Sequence, residues 1–228
     1  IKNRGGNRVK VDRLSLGEDL GTVKVKLWGP LLYVNKKFYA HSYPGKLIPL
    51  DNRGEQKEVS EVLGVINKVG IGIDEVSKNV KESLLYTQQL IQIRGGGIVV
   101  EVGCDVEEGY YTMGGEGSIV KVERLEGVSF PERGKYGLVL SPVILKPVEK
   151  VVSMDDVYDM EVEGLGKLGD VLVEGKVGLI GLGFNIAYNV RRPIFPAIMP
   201  GSVVNYGYRA NVGLFKDNGW GSILPING

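Results

Sequence analysis

His41 is the sole histidine of the chain and sits in Ala40-His41-Ser42-Tyr43-Pro44, a setting in which an imidazole could act as general base in metal-independent RNA cleavage. A serine hydrolase would need that same histidine, yet no G-x-S-x-G nucleophile elbow occurs anywhere in the sequence. Carboxylates gather at Asp105, Glu107 and Glu108, and again at Asp155 and Asp156, but neither group has the spacing of a defined metal loop, so no metal site is expected. Val177-Gly178-Leu179-Ile180-Gly181-Leu182-Gly183 invites a dinucleotide-binding reading, since a strand running into G-x-G is how a Rossmann fold meets a pyrophosphate. Its third glycine would fall at Ile186, and Pro193 and Pro196 cut short the helix that should follow, so no cofactor is expected.

The same glycines suit a different ligand. Backbone that approaches a phosphodiester closely needs residues without Cβ and N–H groups free to donate, and Lys176, Arg191 and Arg192 bracket Gly181 and Gly183. Tight strand packing accounts for these glycines equally well. Arg94, Lys121 and Arg124 are further candidate phosphate contacts, and Tyr86, Tyr110 and Tyr111 offer faces on which unpaired bases could stack.

The elements that must position these residues are mostly strands. With 43% hydrophobic residues the 228-residue chain can build a real core, and its 34 glycines, about twice the usual share, are scattered among Val/Ile/Leu runs as turn residues. Period-2 alternation predicts a strand over Thr22–Trp28, ended by Gly29-Pro30. Strands are also predicted at 84–93, 98–102, 118–125, 136–140 and 201–206. Apolar residues at Val59, Val62, Leu63, Ile66 and Val69 predict an amphipathic helix over 55–69, and a second is expected over 148–159. Prolines at 193, 196 and 200 make that segment an extended crossing and a poor central strand. The mixture of many strands and few helices is an α+β pattern.

Charge is nearly balanced, 28 basic against 27 acidic residues, so local patches must carry any nucleic-acid contact. Cys104 is the only cysteine, which excludes an intramolecular disulfide and a multi-cysteine zinc site and suits a cytoplasmic setting. No apolar run approaches the ~20 residues of a membrane span. The chain begins at Ile1 and not at Met, so N-terminal sequence is expected to be missing.

Seven short motifs stand in order along about 175 residues: Gly29-Pro30, the segment Pro44 to Pro49, Gly70 to Asp74, Ser83 to Tyr86, Gly114-Gly115-Glu116-Gly117, Leu138 to Pro142 and Met199 to Val203. In this series the chain resembles the repeat-associated (RAMP) subunit of Cmr-type, type III-B CRISPR effector complexes that holds the 5′ tag of the guide RNA. Departures are Val69 where the family pattern has a basic residue, Ser118 where it has an arginine, and Pro200-Gly201 without an intervening alanine. Lys121 and Arg124 lie near enough in sequence to replace the arginine lost at Ser118.

The resemblance implies two fused ferredoxin-like, RRM-like halves, divided here as 1–110 and 111–228, with glycine-rich loops facing RNA. It implies a subunit without a nuclease centre of its own that binds the crRNA 5′ tag, contacts the large polymerase-like subunit and the backbone RAMP subunits, and meets target RNA indirectly. The residues expected to meet RNA are Arg94, Lys121, Arg124, Lys176, Gly181, Gly183, Arg191 and Arg192. A guide-processing endoribonuclease of the same fold using His41 and, further off, a dinucleotide-binding oxidoreductase are the alternatives.

Overall fold

The computed structural model describes residues 27–43, 45–51, 55–73, 80–113, 118–146, 154–181, 184–185, 190–191 and 194–227. Of the predicted first strand only the end therefore falls among them. Instead of stopping at Gly29-Pro30, the strand Leu27–Val34 runs through it. Its pairing with Gly96–Val102 changes register between Trp28 and Leu31, so the Gly-Pro pair is absorbed as a bulge. Gly29 has φ +125°, a backbone conformation that a side chain would strain.

Asn35 and Lys36, both with positive φ, form the two-residue turn that leads into Lys37–Ser42, with Val34 opposite Lys37. Lys46–Pro49 and Lys57–Glu58 complete a five-stranded antiparallel sheet, with Lys57–Glu58 at one edge and Gly96–Val102 at the other.

The predicted helix over 55–69 is corrected. Only Val59–Val62 is helical, opened by the Glu58 N–H donating to the Glu61 carboxylate at 3.1 Å. From Leu63 the chain becomes the strand Leu63–Ile73, paired with Val80–Ile93 in a long antiparallel hairpin. Apolar residues at 63, 65, 69, 71 and 73 also satisfy a period of two, and Gly64, Gly70 and Gly72 each disfavour helix by about 1 kcal/mol. The second predicted helix is described over Met154–Tyr158 alone, residues 148–153 lying outside the described residues.

A second five-stranded sheet runs in the order Leu172–Glu174, Val203–Val204, Tyr136–Val139, Ser222–Ile226, Ala210–Asn211. A three-stranded sheet places Ile194–Ile198 between Val143–Ile144 and Val177–Gly181. The proline-containing segment is thus a central strand, contrary to expectation. It is tolerated because Pro196 turns its backbone nitrogen and carbonyl toward the short strand: the Pro196 carbonyl accepts from the Leu145 N–H at 2.9 Å, one residue past Ile144, so the longer ladder with Val177–Gly181 loses no donor.

Among the described residues four apolar clusters hold these sheets, and two are the largest. Val139, Val143, Leu145, Val162, Leu168, Ile198, Val204 and Ile223 are fully or almost fully buried in one of them. At about 1.5–3 kcal/mol for each fully buried large side chain, this is the main source of stability on that side. In the other, Trp28, Leu31 and Ala40 from the first sheet pack on Leu138, Leu140 and Leu224 from the second. The architecture is mostly sheet with few, short helices. Among the described residues no helix is long and apolar enough to cross a membrane.

Candidate nucleic-acid interface

Two of the motif-bearing segments, 138–142 and 199–203, meet at the turn Met199–Ser202, and Tyr43 joins them from the end of the first sheet. The Gly201 N–H donates to the Val139 carbonyl at 2.8 Å and the Val139 N–H to the Ser202 carbonyl at 2.9 Å, tying the turn to the Leu138–Pro142 segment. From the first sheet, the Tyr43 N–H donates to the Gly201 carbonyl at 2.9 Å, beside the segment that begins at Pro44. Gly201 has φ +87°, and a Cβ there would stand 2.6 Å from the Tyr43 nitrogen and 2.7 Å from His41 Nδ1. Only glycine lets the two sheets approach this closely.

Lys176 is docked on the other side of the same turn. Its N–H donates to the buried Ser202 Oγ at 3.1 Å, and its carbonyl accepts from the Met199 N–H at 2.8 Å. The Lys176 side chain is left exposed, as are His41 and Tyr43. A fixed, glycine-shaped turn flanked by an exposed ammonium, an imidazole and a phenol ring suits contact with a phosphodiester and a neighbouring base. His41 and Tyr43 were not among the residues predicted to meet RNA; their pairing with Gly201 spans more than 150 residues of sequence, and no local pattern reports it.

Gly181 ends the strand Val177–Gly181 opposite Ile194, is exposed, and has open space where a Cβ would stand. Backbone could therefore be approached there without obstruction. Arg191 belongs by its backbone to Val190–Arg191, paired with Phe184–Asn185. Gly183 and Arg192 lie outside the described residues.

These strands do not supply the unit that the dinucleotide alternative needs. Val177–Gly181 pairs antiparallel with Ile194–Ile198, and the next described element is the strand Phe184–Asn185, so among the described residues here no parallel strand–helix–strand unit presents a helix N-terminus to a pyrophosphate.

The remaining cations are placed elsewhere. Arg94 is exposed at the corner between Val80–Ile93 and Gly96–Val102, its N–H donating to the Val62 carbonyl at 2.8 Å and its guanidinium lying over Gly64. Lys121 and Arg124 belong to the hairpin Gly109–Met113/Ser118–Val122 and its exit. Lys121 pairs with Glu123 at 2.5 Å, a hydrogen bond that raises its pKa above the ordinary 10.5. Arg124 pairs with Asp105 at 3.2 Å, and its N–H donates to the Glu108 carboxylate at 2.7 Å. Exposed pairs of this kind are worth about 1 kcal/mol or less, yet they lower the positive potential these side chains present. Among the described residues, no group of three His, Cys, Asp or Glu side chains is placed to hold a metal ion.

The sequence also gave no sign of Arg209, whose side chain is 13% exposed. Its guanidinium lies 4.2 Å from the centre of the Trp28 ring and hydrogen-bonds to Glu101 and, at 2.8 Å, to Glu132. Beside it, Ser222 Oγ lies 2.9 Å from Asn211 Oδ1 and accepts from the Gly29 N–H at 3.2 Å. These groups join the Gly29-Pro30 bulge to the second sheet and serve architecture.

No family model matches the chain. Among solved structures, the fold is shared with a chain of the type III-B Cmr-beta complex bound to cognate target RNA and AMPPnP, with a TM-score of 0.59 and 24% identity over 79% of this chain and 66% of that one. A second structure, of Cmr-beta bound to cognate target RNA, gives a TM-score of 0.57 at 24% identity over 79% and 64% of the two chains. The class of fold is thus that of a type III-B Cmr subunit. A curated relative described as CRISPR system CMR subunit Cmr3, from Saccharolobus solfataricus, is 28% identical over 157 residues, 66% of this chain. The match spans 46%, or about half, of that relative's length. The resemblance to a Cmr-type RAMP subunit, drawn from seven motifs, is borne out.

Proposed function

We propose that this chain is a non-catalytic subunit of a type III-B RNA-guided interference complex, in which it binds the 5′ tag of the crRNA. In this reading it lies beside the large polymerase-like subunit and the backbone RAMP subunits, built as two ferredoxin-like halves, 1–110 and 111–228, and works in the cytoplasm. The observation that carries the reading is the convergence of segments 138–142 and 199–203 with Tyr43, at the head of segment 44–49, on one turn. Two of the seven motifs are thereby joined at one turn, with Lys176 exposed at its edge. The similarity to a Cmr3 subunit and to chains of RNA-bound Cmr-beta complexes supports the same reading.

RNA would be held by phosphate contacts from Lys176 and Arg191, by backbone approach at Gly181 and Gly183, and by stacking on Tyr43. Near-neutral net charge is compatible with this, because neighbouring subunits share the neutralisation of a bound strand. The test is binding of a single-stranded guide RNA by Lys176→Ala as a function of salt. The slope of log K against log salt should fall by about one for one lost phosphate contact. An unchanged slope and affinity would remove Lys176 from the interface.

A further inference from the structure

The hairpin Gly109–Met113/Ser118–Val122 carries an exposed apolar face that neither the core nor the proposed RNA surface uses. Tyr110 stands opposite Lys121 and Thr112 opposite Ile119, which places Tyr110 and Ile119 on one face as diagonal neighbours. They are 74% and 73% exposed, among the most exposed large apolar side chains described. Among the described residues of 105–126, the segment that carries this face, five carboxylates (Asp105, Glu107, Glu108, Glu123 and Glu126) stand against two cations, Lys121 and Arg124. Both cations are already paired, with Glu123 and Asp105.

This combination selects among occupants. A polyanionic RNA would meet a patch with an excess of three negative charges whose cations are neutralised in place. A second copy docked on the same face would bring carboxylates against carboxylates. Two exposed apolar side chains beside a lysine already paired with Glu123, in a segment with an excess of carboxylates, fit a protein surface of opposite charge, since apolar anchors are buried in a contact while charges steer it.

We propose that this hairpin docks a neighbouring protein subunit, whose contact surface carries lysine or arginine side chains around an apolar patch that receives Tyr110 and Ile119. The inference rests on the reading of the chain as a subunit of a larger assembly. It moves Lys121 and Arg124 from RNA contacts to groups that shape a protein interface.

The test uses the full chain in its native cells, with a photo-cross-linking phenylalanine analogue at position 110, and the purified complex is irradiated. The expected adduct lies on a lysine- or arginine-bearing segment of a different protein, identified by mass spectrometry. In parallel, the double substitution Tyr110→Ser/Ile119→Ser should weaken binding of that protein about tenfold or more, as for loss of anchor side chains. Binding of the co-purified guide RNA should stay within about twofold of wild type, and the association with the protein should weaken with added salt. Both side chains are exposed, so a thermal midpoint close to wild type verifies that the variant is folded. An adduct on RNA or on a second copy, or no adduct in a complex that retains its RNA and partners, would overturn the proposal. So would unchanged protein affinity in the double variant. If wild-type chain brings down neither RNA nor protein partners, the subunit reading itself fails, and this inference falls with it.

Discussion

Trp28 is where the two five-stranded sheets depend most on one side chain. It is 8% exposed, its indole N–H donates to the Ile223 carbonyl at 3.0 Å, and its ring lies 5.2 Å from that of Phe130 and 4.2 Å beneath the Arg209 guanidinium. Replacing it with alanine removes apolar burial and leaves a cavity, about 3–5 kcal/mol for Trp→Ala in a core. Within that total, the hydrogen bond and the cation–π contact each contribute about 1 kcal/mol. Trp28→Phe keeps a ring and loses the donor, so it should cost about 1–2 kcal/mol. For a chain of this size, about 2–4 °C of melting temperature corresponds to each kcal/mol, so Trp28→Ala should melt about 10 °C or more below wild type. Urea unfolding followed by circular dichroism measures the difference directly. A double-mutant cycle with Arg209→Met should return a coupling of about 1 kcal/mol. A Trp28→Ala variant within 1 kcal/mol of wild type, or a coupling near zero, would refute the claim that this contact joins the sheets.

Glycine substitutions should separate architecture from binding. Gly221, with φ +70° and the Val212 carbonyl where a Cβ would go, should lose about 2 kcal/mol or more as alanine by thermal unfolding. Gly181→Ala should leave stability within about 0.5 kcal/mol and weaken guide RNA binding in a filter or anisotropy assay, because its Cβ position is open. His41→Ala should leave guide RNA length unchanged in sequencing of co-purified RNA; loss of trimmed guides would instead favour a processing nuclease. Lys167 has a pKa raised above the ordinary 10.5, chiefly by its hydrogen bond with Asp159. Its contribution is therefore present below pH ~10.5 and is lost as pH rises through the folded value. The stability gap between wild type and Lys167→Gln should close, and not widen, in unfolding curves taken from pH 9 to 11.5.

Strands were legible where a short apolar run is bounded by glycine or proline, as at Tyr136–Val139 and Gly96–Val102, because burial and turn chemistry are both local. Residues 63–69 of the strand Leu63–Ile73 read as helix because their apolar spacing fits two periods at once. What decides is the partner strand Val80–Ile93, a non-local pairing that no window of sequence contains. Pro196 misled for a related reason, since whether a missing N–H matters depends on which neighbouring strand it faces and how far that strand extends. At the candidate interface, the Lys176 and Gly181 segment stands out through its glycines and flanking cations. The approach of His41 and Tyr43 to Gly201 does not, because it arises from the packing of one sheet on another. Nor could charge counting show that Lys121 and Arg124 are held by Glu123 and Asp105.

A chain that holds the 5′ end of a guide RNA within a multi-subunit complex should carry both RNA and neighbours through purification. Tagged chain is purified from its native cells, its bound RNA sequenced from the 5′ end and its partners identified by mass spectrometry. Expected are small RNAs that share one 5′ sequence, together with a large polymerase-like subunit and backbone subunits. Recovery of the chain alone, or of RNAs with scattered 5′ ends, would contradict that role.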